Sequence, residues 1–495
     1  MTSVLYVASE AFPLAKTGGL GDVAGALPAA LTKLGVDARI MLPAYDGVVR
    51  RLANAGADIK PGPALQNVLG RFPVQLLRSE MPGTGVPLWL VDCPPLYARD
   101  AHPYAGPDGK EWNDNDVRFA LLARVASIVS THRDVNDWRP DIVHANDWHT
   151  GLLPYYLKQA GASARSVFTV HNMAYQGLYD PAVMDRVGID PAEFTPQGVE
   201  FWGKVSFLKA GLIYADRVST VSPTYAQEIR EPGEGKGLEG VLRMRGKHLA
   251  GILNGIDESV WNPMTDPHLV QPYDPANIAL KADNKAALRA SLDLPAVDTA
   301  PIVAIVSRLV EQKGIDILLA LLPAYLNTGA QIVVLGSGDK HLESRLIAAA
   351  AAHPDQVAVR LGYDETFAHR VIAGADILFV PSRYEPCGLT QLYAQRYGTI
   401  PVVHRVGGLA DTVTDEDDGF TFDALTPAAA VAALVRAGAY YRKRPRWRAM
   451  QRRAMHKHFG WDICARRTLD LYHDVLNDRP TATEGTYGTA LTASR

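Results

Sequence analysis

The chain alternates short apolar runs with helix-length stretches, and it does so twice over. In the first half the runs fall at 4–8, 38–43, 87–91, 141–144, 166–170, 217–221 and 249–253. In the second half they fall at 302–306, 331–335, 357–361, 376–380 and 400–403. Strands separated by helices argue βαβ units and largely parallel sheets. At 495 residues the chain is also too long for a single core. The predicted architecture is α/β, with two doubly wound Rossmann-like domains facing a central cleft. The first spans residues 1–255 and the second 256–460. Residues 256–300, rich in Asp, Pro and Asn, read as the crossing between halves and an irregular entry segment. A last amphipathic helix covers 461–477, and 478–495 reads as a disordered Thr/Gly/Ala-rich tail.

Charge and cysteine usage narrow the setting. The net charge is −3 and no lysine or arginine run is long enough to suggest nucleic acid or an anionic membrane. No apolar run approaches the ~20 residues of a membrane span. Three scattered cysteines suggest a reducing, cytoplasmic setting without structural disulfides.

In doubly wound sheets ligands gather at the carboxyl ends of the strands, and the polar clusters of this chain fall there. After the first run come Lys16, Gly18 and Gly19, followed by a helical pattern of Val23, Leu27, Leu31 and Leu34. The two glycines permit positive φ and close approach of a ligand to the backbone. Helix-start N–H groups with a lysine beside them favour a phosphate. The order is neither that of a P-loop nor GxGxxG, and a Gly-Gly turn alone also suits any tight loop. Asp147 and His171 end two further strands and suit hydrogen bonding to a polyhydroxyl ligand. His144, Asp147 and His149 fit no zinc spacing.

In the second half, Arg308 and Lys313 follow the first strand as a fork and a point charge, a second phosphate site or else a solvated pair. Gly336 and Ser337 form a glycine turn at the next strand end. Tyr363 is an aromatic able to lie against a base or simply to pack. The densest stretch is 382–390, where Pro386 marks a possible helix start and Gly388, Leu389 and Thr390 present N–H groups. Glu385 stands just before them, as a helix-stabilising acid or a carboxylate for sugar hydroxyls and anomeric charge. Cys387 has no legible paired base and reads as packing.

Taken in order, these blocks resemble the bacterial glycogen synthases and plant starch synthases, retaining glycosyltransferases of GT-B architecture. The matching stretches are 16–20, 171–177, 254–257 and 385–392, and the run 201–222 is also similar. The resemblance reaches to about residue 477. It implies an ADP-glucose donor, UDP-glucose being poorly discriminated, and a growing α-1,4-glucan (glycogen) acceptor, with no metal or other cofactor. Lys16, Gly18 and Gly19 would touch the donor's phosphates or the reacting sugar, and Arg308 and Lys313 would hold the diphosphate. Glu385, with Gly388, Leu389 and Thr390, would bind the glucose and distal phosphate, and Cys387 would stand among the substrate contacts. His171 would face the glucose 6-hydroxyl, with Asp147 and Asn254 completing the sugar pocket. Gly336 and Ser337 would also contact substrate, and Tyr363 would lie near the adenine. The terminal helix would return to the first domain. Tyr384, where many relatives carry phenylalanine, is one mild departure.

Overall fold

The computed structural model describes residues 1–99, 102–133, 135, 137–362 and 364–478. They divide into two compact units. The first comprises Met1–Ser219, Val241–Leu249 and the described residues from Ala465 on; the second comprises Thr220–Gly240 and Ala250–Cys464. The boundary read from the sequence, residue 255, differs from this division, since 220–240 and 250–255 pack with the second unit. Side chains fix that assignment: Ser222 Oγ donates to the Pro386 carbonyl at 2.6 Å. Asp411 accepts from both the N–H and the hydroxyl of Thr224, at 2.9 and 2.7 Å.

The first unit is built on a sheet whose strands are β1 (Ser3–Val7), β2 (Asp37–Pro43), β3 (Lys60–Val68), β4 (Phe72–Glu80), β5 (Pro87–Asp92), β6 (Ile142–Asn146), β7 (Arg165–Val170), β11 (Arg217–Thr220) and β12 (Leu249–Gly251). Their order is β12-β11-β7-β6-β1-β2-β5-β4-β3. β1 lies parallel between β6 and β2, so the winding reverses there, which is where doubly wound sheets bind ligands. β1, β6 and β7 are buried almost throughout, as strands covered on both faces must be. The β3–β4 hairpin adds antiparallel strands at one edge. A separate three-stranded sheet, β8 (Leu178–Tyr179), β9 (Glu200–Phe201) and β10 (Lys204–Ser206), pairs antiparallel. Neither the hairpin nor this small sheet is among the strands expected from the sequence.

The second unit carries β13 (Ile302–Val306), β14 (Gln331–Gly336), β15 (Val357–Leu361), β16 (Ile377–Val380), β17 (Ile400–His404) and β18 (Phe420–Phe422). All pair parallel, in the order β15-β14-β13-β16-β17-β18. Alternate residues of β13 feed two cores. Val303 and Ile305 pack with Leu318, Leu321 and Ile377, while Ile302 and Ala304 pack with Leu288, Val371 and Leu378. A two-sided core explains the unbroken apolar run. Within 256–300, expected to be irregular, a helix forms over Lys281–Ser291.

The helix Trp461–Asn477 enters the first unit from Ala465 onward. There the buried Tyr472 places its hydroxyl 2.7 Å from His144 Nδ1. No described helix is long and apolar enough to cross a membrane. All three cysteines are free and buried. The tail expected beyond 477 falls, from 479 on, outside the described residues.

Candidate active site

In the first unit the loops after β1, β6 and β7 emerge side by side, because these strands are neighbours and parallel. They bring Lys16, Gly18, Gly19, Asp147 and His171 to one end of the sheet. The loop after β1 leads into the helix Gly19–Lys33, with Gly18 at its cap. Neither Gly18 nor Gly19 adopts positive φ: Gly18 has φ −161°, an extended conformation open to any residue. What glycine supplies here is room, since a Cβ on either would meet nothing within 4 Å. Lys16 Nζ lies 2.7 Å from Asp22 in the helix's first turn and 5.3 Å from the centre of the Phe12 ring.

A second acid shapes this loop. Glu10 is almost fully buried and accepts the backbone N–H of Thr17. Burial lifts its carboxyl to about 7 despite the hydrogen bonds from Thr17 and Tyr104. No residue pattern marks this role beyond an acid standing between a buried strand and a lysine-bearing turn. Tyr104 stacks on His149 at 4.5 Å. Its hydroxyl lies 2.8 Å from Ser9 Oγ. Tyr97 is completely buried.

Asp147 holds the most unusual backbone of the site, φ +55° and ψ 178°. That combination is nearly restricted to glycine and costs of order 1–3 kcal/mol elsewhere. The twist turns its carboxylate back to accept the N–H of His171 at 2.7 Å, and that of Asn172 as well. Burial pushes the carboxyl up to about 7, against the pull of those two N–H groups. His171 sits at the end of β7, and burial lowers its imidazole to about 3, leaving the ring neutral at pH 7. His144 spends both nitrogens on protein partners, the Tyr472 and Thr169 hydroxyls, at 2.7 and 2.6 Å. No group of three or more potential metal ligands exists among the described residues.

In the second unit the loops after β13 and β16, again neighbours, bring Arg308, Lys313 and Glu385 to one end of the sheet. Lys313 Nζ is 2.5 Å from Glu385 Oε2, with 18% and 8% of the two side chains exposed. Ser382 Oγ donates to the same carboxylate oxygen at 2.9 Å. The two loops are pinned by Arg383 N–H to the Gln312 carbonyl at 2.8 Å and by Gln312 Nε2 to the Tyr384 carbonyl at 3.3 Å. Their close passage demands Gly314: its φ is +66°, and a Cβ would lie 2.0 Å from the Pro381 carbonyl oxygen. Arg308 is exposed, its guanidinium 3.5 Å from Gln312 Oε1.

Pro386 does not open the following helix, which runs Thr390–Arg396 behind Leu389 at the cap. The chain first turns through Gly388 at φ +71°, so Gly388, Leu389 and Thr390 carry the turn into the helix start. The carbonyls of Cys387 and Gly388 accept from Gln391 Nε2. Cys387 accepts the backbone N–H of Asn254 on its sulfur, and burial pushes the thiol up to about 12, an inert packed group. Gly336 serves a crossing, since a Cβ there would fall 1.9 Å from the Ser307 carbonyl oxygen. Ser337 is exposed beside it, its carbonyl accepting from Leu309 N–H at 2.8 Å. Tyr363 lies outside the described residues.

Each unit thus presents polar side chains at the strand ends flanking its central strand, with cations in both. Residues 3–244 match the family model of the starch synthase catalytic domain, and residues 290–452 match that of the group 1 glycosyl transferases. The glycogen synthase of Rhodospirillum rubrum is 49% identical over 96% of this chain and 98% of its own length. Glycogen synthase 1 of Methylococcus capsulatus is 47% identical, with 96% of each chain covered. Among solved structures, the catalytic domain of Arabidopsis thaliana starch synthase IV, bound to ADP and acarbose, superposes with a TM-score of 0.83. It is 32% identical, covering 96% of this chain and all of that one. A sucrose-phosphate synthase from Thermosynechococcus elongatus shares the fold at a TM-score of 0.58 and 19% identity, with 96% and 99% covered. With half its residues shared along almost its whole length, the chain belongs to the glycogen synthases, hexosyltransferases of GT-B fold.

Proposed function

We propose that this glycogen synthase takes its glucosyl group from ADP-glucose and adds it, with retention at the anomeric carbon, to the non-reducing end of an α-1,4-glucan, without a metal ion. The observation that carries the reading is the Lys313–Glu385–Ser382 cluster, with Arg308 on the same pair of loops. ADP in the similar Arabidopsis starch synthase IV structure favours the adenine nucleotide over the uridine one.

Transfer breaks the bond between C1 and a phosphate oxygen and forms one between C1 and the acceptor hydroxyl oxygen. The hydroxyl proton passes to an oxygen of the departing diphosphate. Charge therefore grows on the diphosphate, and Arg308 and Lys313 are fixed cations able to stabilise it where it appears. Glu385 is already engaged by an ammonium and a hydroxyl, which suits it to holding the sugar and balancing positive charge at C1 rather than to attacking it. In the first unit Lys16, beside the open backbone of Gly18 and Gly19, takes phosphate or sugar oxygens. Asp147 and the neutral His171 take sugar hydroxyls. The product and the reactants are not separated by any step that needs a redox centre, and the two cations supply the charge neutralisation a metal would otherwise provide.

Initial rates of labelled glucosyl incorporation into glycogen, from ADP-glucose and UDP-glucose with and without EDTA, test this. Faster, EDTA-resistant incorporation from ADP-glucose is expected. Preference for UDP-glucose, or loss of rate in EDTA restored by a divalent cation, would overturn the donor or the metal-free assignment respectively.

A further inference from the structure

Four hydrogen bonds around Asn146 fix more than its own place. Its Nδ2 lies 3.1 Å from the Val7 carbonyl oxygen and 3.4 Å from that of His144. A carbonyl oxygen can only accept, so Nδ2 must be the amide nitrogen, and the reversed amide would set oxygen against oxygen. The amide oxygen is thereby committed to its other side. There it accepts from Tyr6 OH at 3.0 Å and stands 3.0 Å from His171 Nε2. An amide oxygen cannot donate either, so the hydrogen between it and the imidazole belongs to Nε2. Asn146 is completely buried and Tyr6 nearly so, which makes the arrangement costly to leave unpaired. Because burial keeps the ring neutral, the proton on Nε2 leaves Nδ1 as a bare lone pair. No described residue donates to it.

We propose that Asn146, held by Tyr6 and the Val7 carbonyl, is a positioning residue that locks His171 as its Nε2–H tautomer, so that Nδ1 accepts a hydrogen bond from one hydroxyl of the sugar being transferred. A His171 of the other tautomer would present a donor at that point and repel any hydroxyl hydrogen aimed at it. The inference rests on the assignment of His171 to the sugar. It adds a group with no substrate contact and a defined handedness of the hydrogen bond: the sugar donates and the protein accepts. Neither Asn146 nor Tyr6 stands out by residue type or spacing.

The tautomer is read directly from the 15N shifts of labelled histidine in the intact protein, at a pH near 7 and without any substrate. Wild type should show a protonated Nε2 and an unprotonated Nδ1 for His171, assigned by loss of the signal in His171→Ala. In Asn146→Ala, and more mildly in Tyr6→Phe, the Nδ1–H form should appear. A wild-type ring protonated at Nδ1, or a tautomer unmoved in both variants, overturns the lock whatever the activity. The sugar contact is tested separately with donors lacking one hydroxyl at a time. One deoxy donor should lose about tenfold or more in kcat/KM with wild type, the scale of an unpaired buried acceptor. The same donor should lose little further with Asn146→Ala. A locked tautomer with every deoxy donor behaving additively would refute the sugar contact while leaving the lock intact, and absence of transfer from every donor would refute the reading of the site itself.

Discussion

Asp147 makes a prediction whose size follows from its surroundings. Its carboxyl is raised by burial from the ordinary 3.8 to about 7. An acid whose folded pKa lies above its unfolded one contributes nothing unfavourable below pH 3.8. The fold then loses stability progressively as the pH rises through 7, because ionisation is easier in the unfolded chain. Each pH unit in that window is worth about 1.4 kcal/mol. The loss is about 1.5 kcal/mol at pH 5 and reaches about 4 kcal/mol by pH 8. Asp147→Asn keeps an amide oxygen for the N–H groups of His171 and Asn172 but cannot ionise. Stability of variant minus wild type, from urea unfolding at pH 5, 6, 7 and 8, should therefore climb by roughly 2–3 kcal/mol across the series. Other titrating groups, among them Glu10 and His144, occur in both proteins and largely cancel. A constant offset between the proteins at all four pH values would show a carboxylate ionised throughout, and the burial argument would fail. Activity should move oppositely, the more stable variant being the poorer catalyst, as expected where strain and a buried charge are kept for function.

Gly18→Ala should leave urea stability within about 0.5 kcal/mol, since its backbone is extended and the added methyl meets nothing in the protein. It should nevertheless raise KM for the donor; unchanged KM would show that the open space is not used. Gly314→Ala should cost more than about 2 kcal/mol in unfolding free energy, combining a left-handed φ with a clash against the Pro381 carbonyl. Wild-type stability in that variant would contradict the tight crossing of the two loops. Removing one partner of the Lys313–Glu385 pair should destabilise by about 3 kcal/mol or more, by leaving the other charge mostly buried and unmatched. Lys313→Met with Glu385→Gln should recover most of that stability in thermal or urea unfolding while restoring no transfer, and additive losses would sink the pairing argument.

Much of this was legible in the residues, for a physical reason. Strands such as β1, β6, β13 and β14 are covered on both faces, so they read as unbroken apolar runs and their carboxyl ends can be located by eye. Side chains there, from Lys16 to Glu385, follow from position alone. The β3–β4 hairpin escaped because an exposed edge mixes Lys60, Gln66, Arg78 and Glu80 with three prolines and a glycine, and turn residues mask the alternation. β18 is only three residues long, and β8 and β9 two each, too short for any period to register. The glycines misled in a definite way: Gly18 and Gly19 suggested positive φ, whereas the positive φ fell on Asp147, a residue type that ordinarily avoids it in this form. The partners that organise the site left no pattern. Tyr6 and Asn146 meet across 140 positions that only the parallel pairing of β1 with β6 brings together, and Glu10 accepts a backbone N–H inside its own loop, which no residue pattern signals. The division at 220–240 was equally invisible, since it depends on Ser222 and Thr224 meeting Pro386 and Asp411 more than 160 residues away.

We assign glucosyl transfer to the cations and carboxylate at the strand ends of the second unit. The turnover of Glu385→Gln and Arg308→Ala on ADP-glucose and glycogen, in preparations whose folding is verified by circular dichroism, tests this assignment most directly. In each, kcat should fall by about a hundredfold or more, the scale of losing one group that meets charge developing at the reaction centre. Near-wild-type kcat in folded Glu385→Gln and Arg308→Ala would contradict it and move the chemistry to other residues.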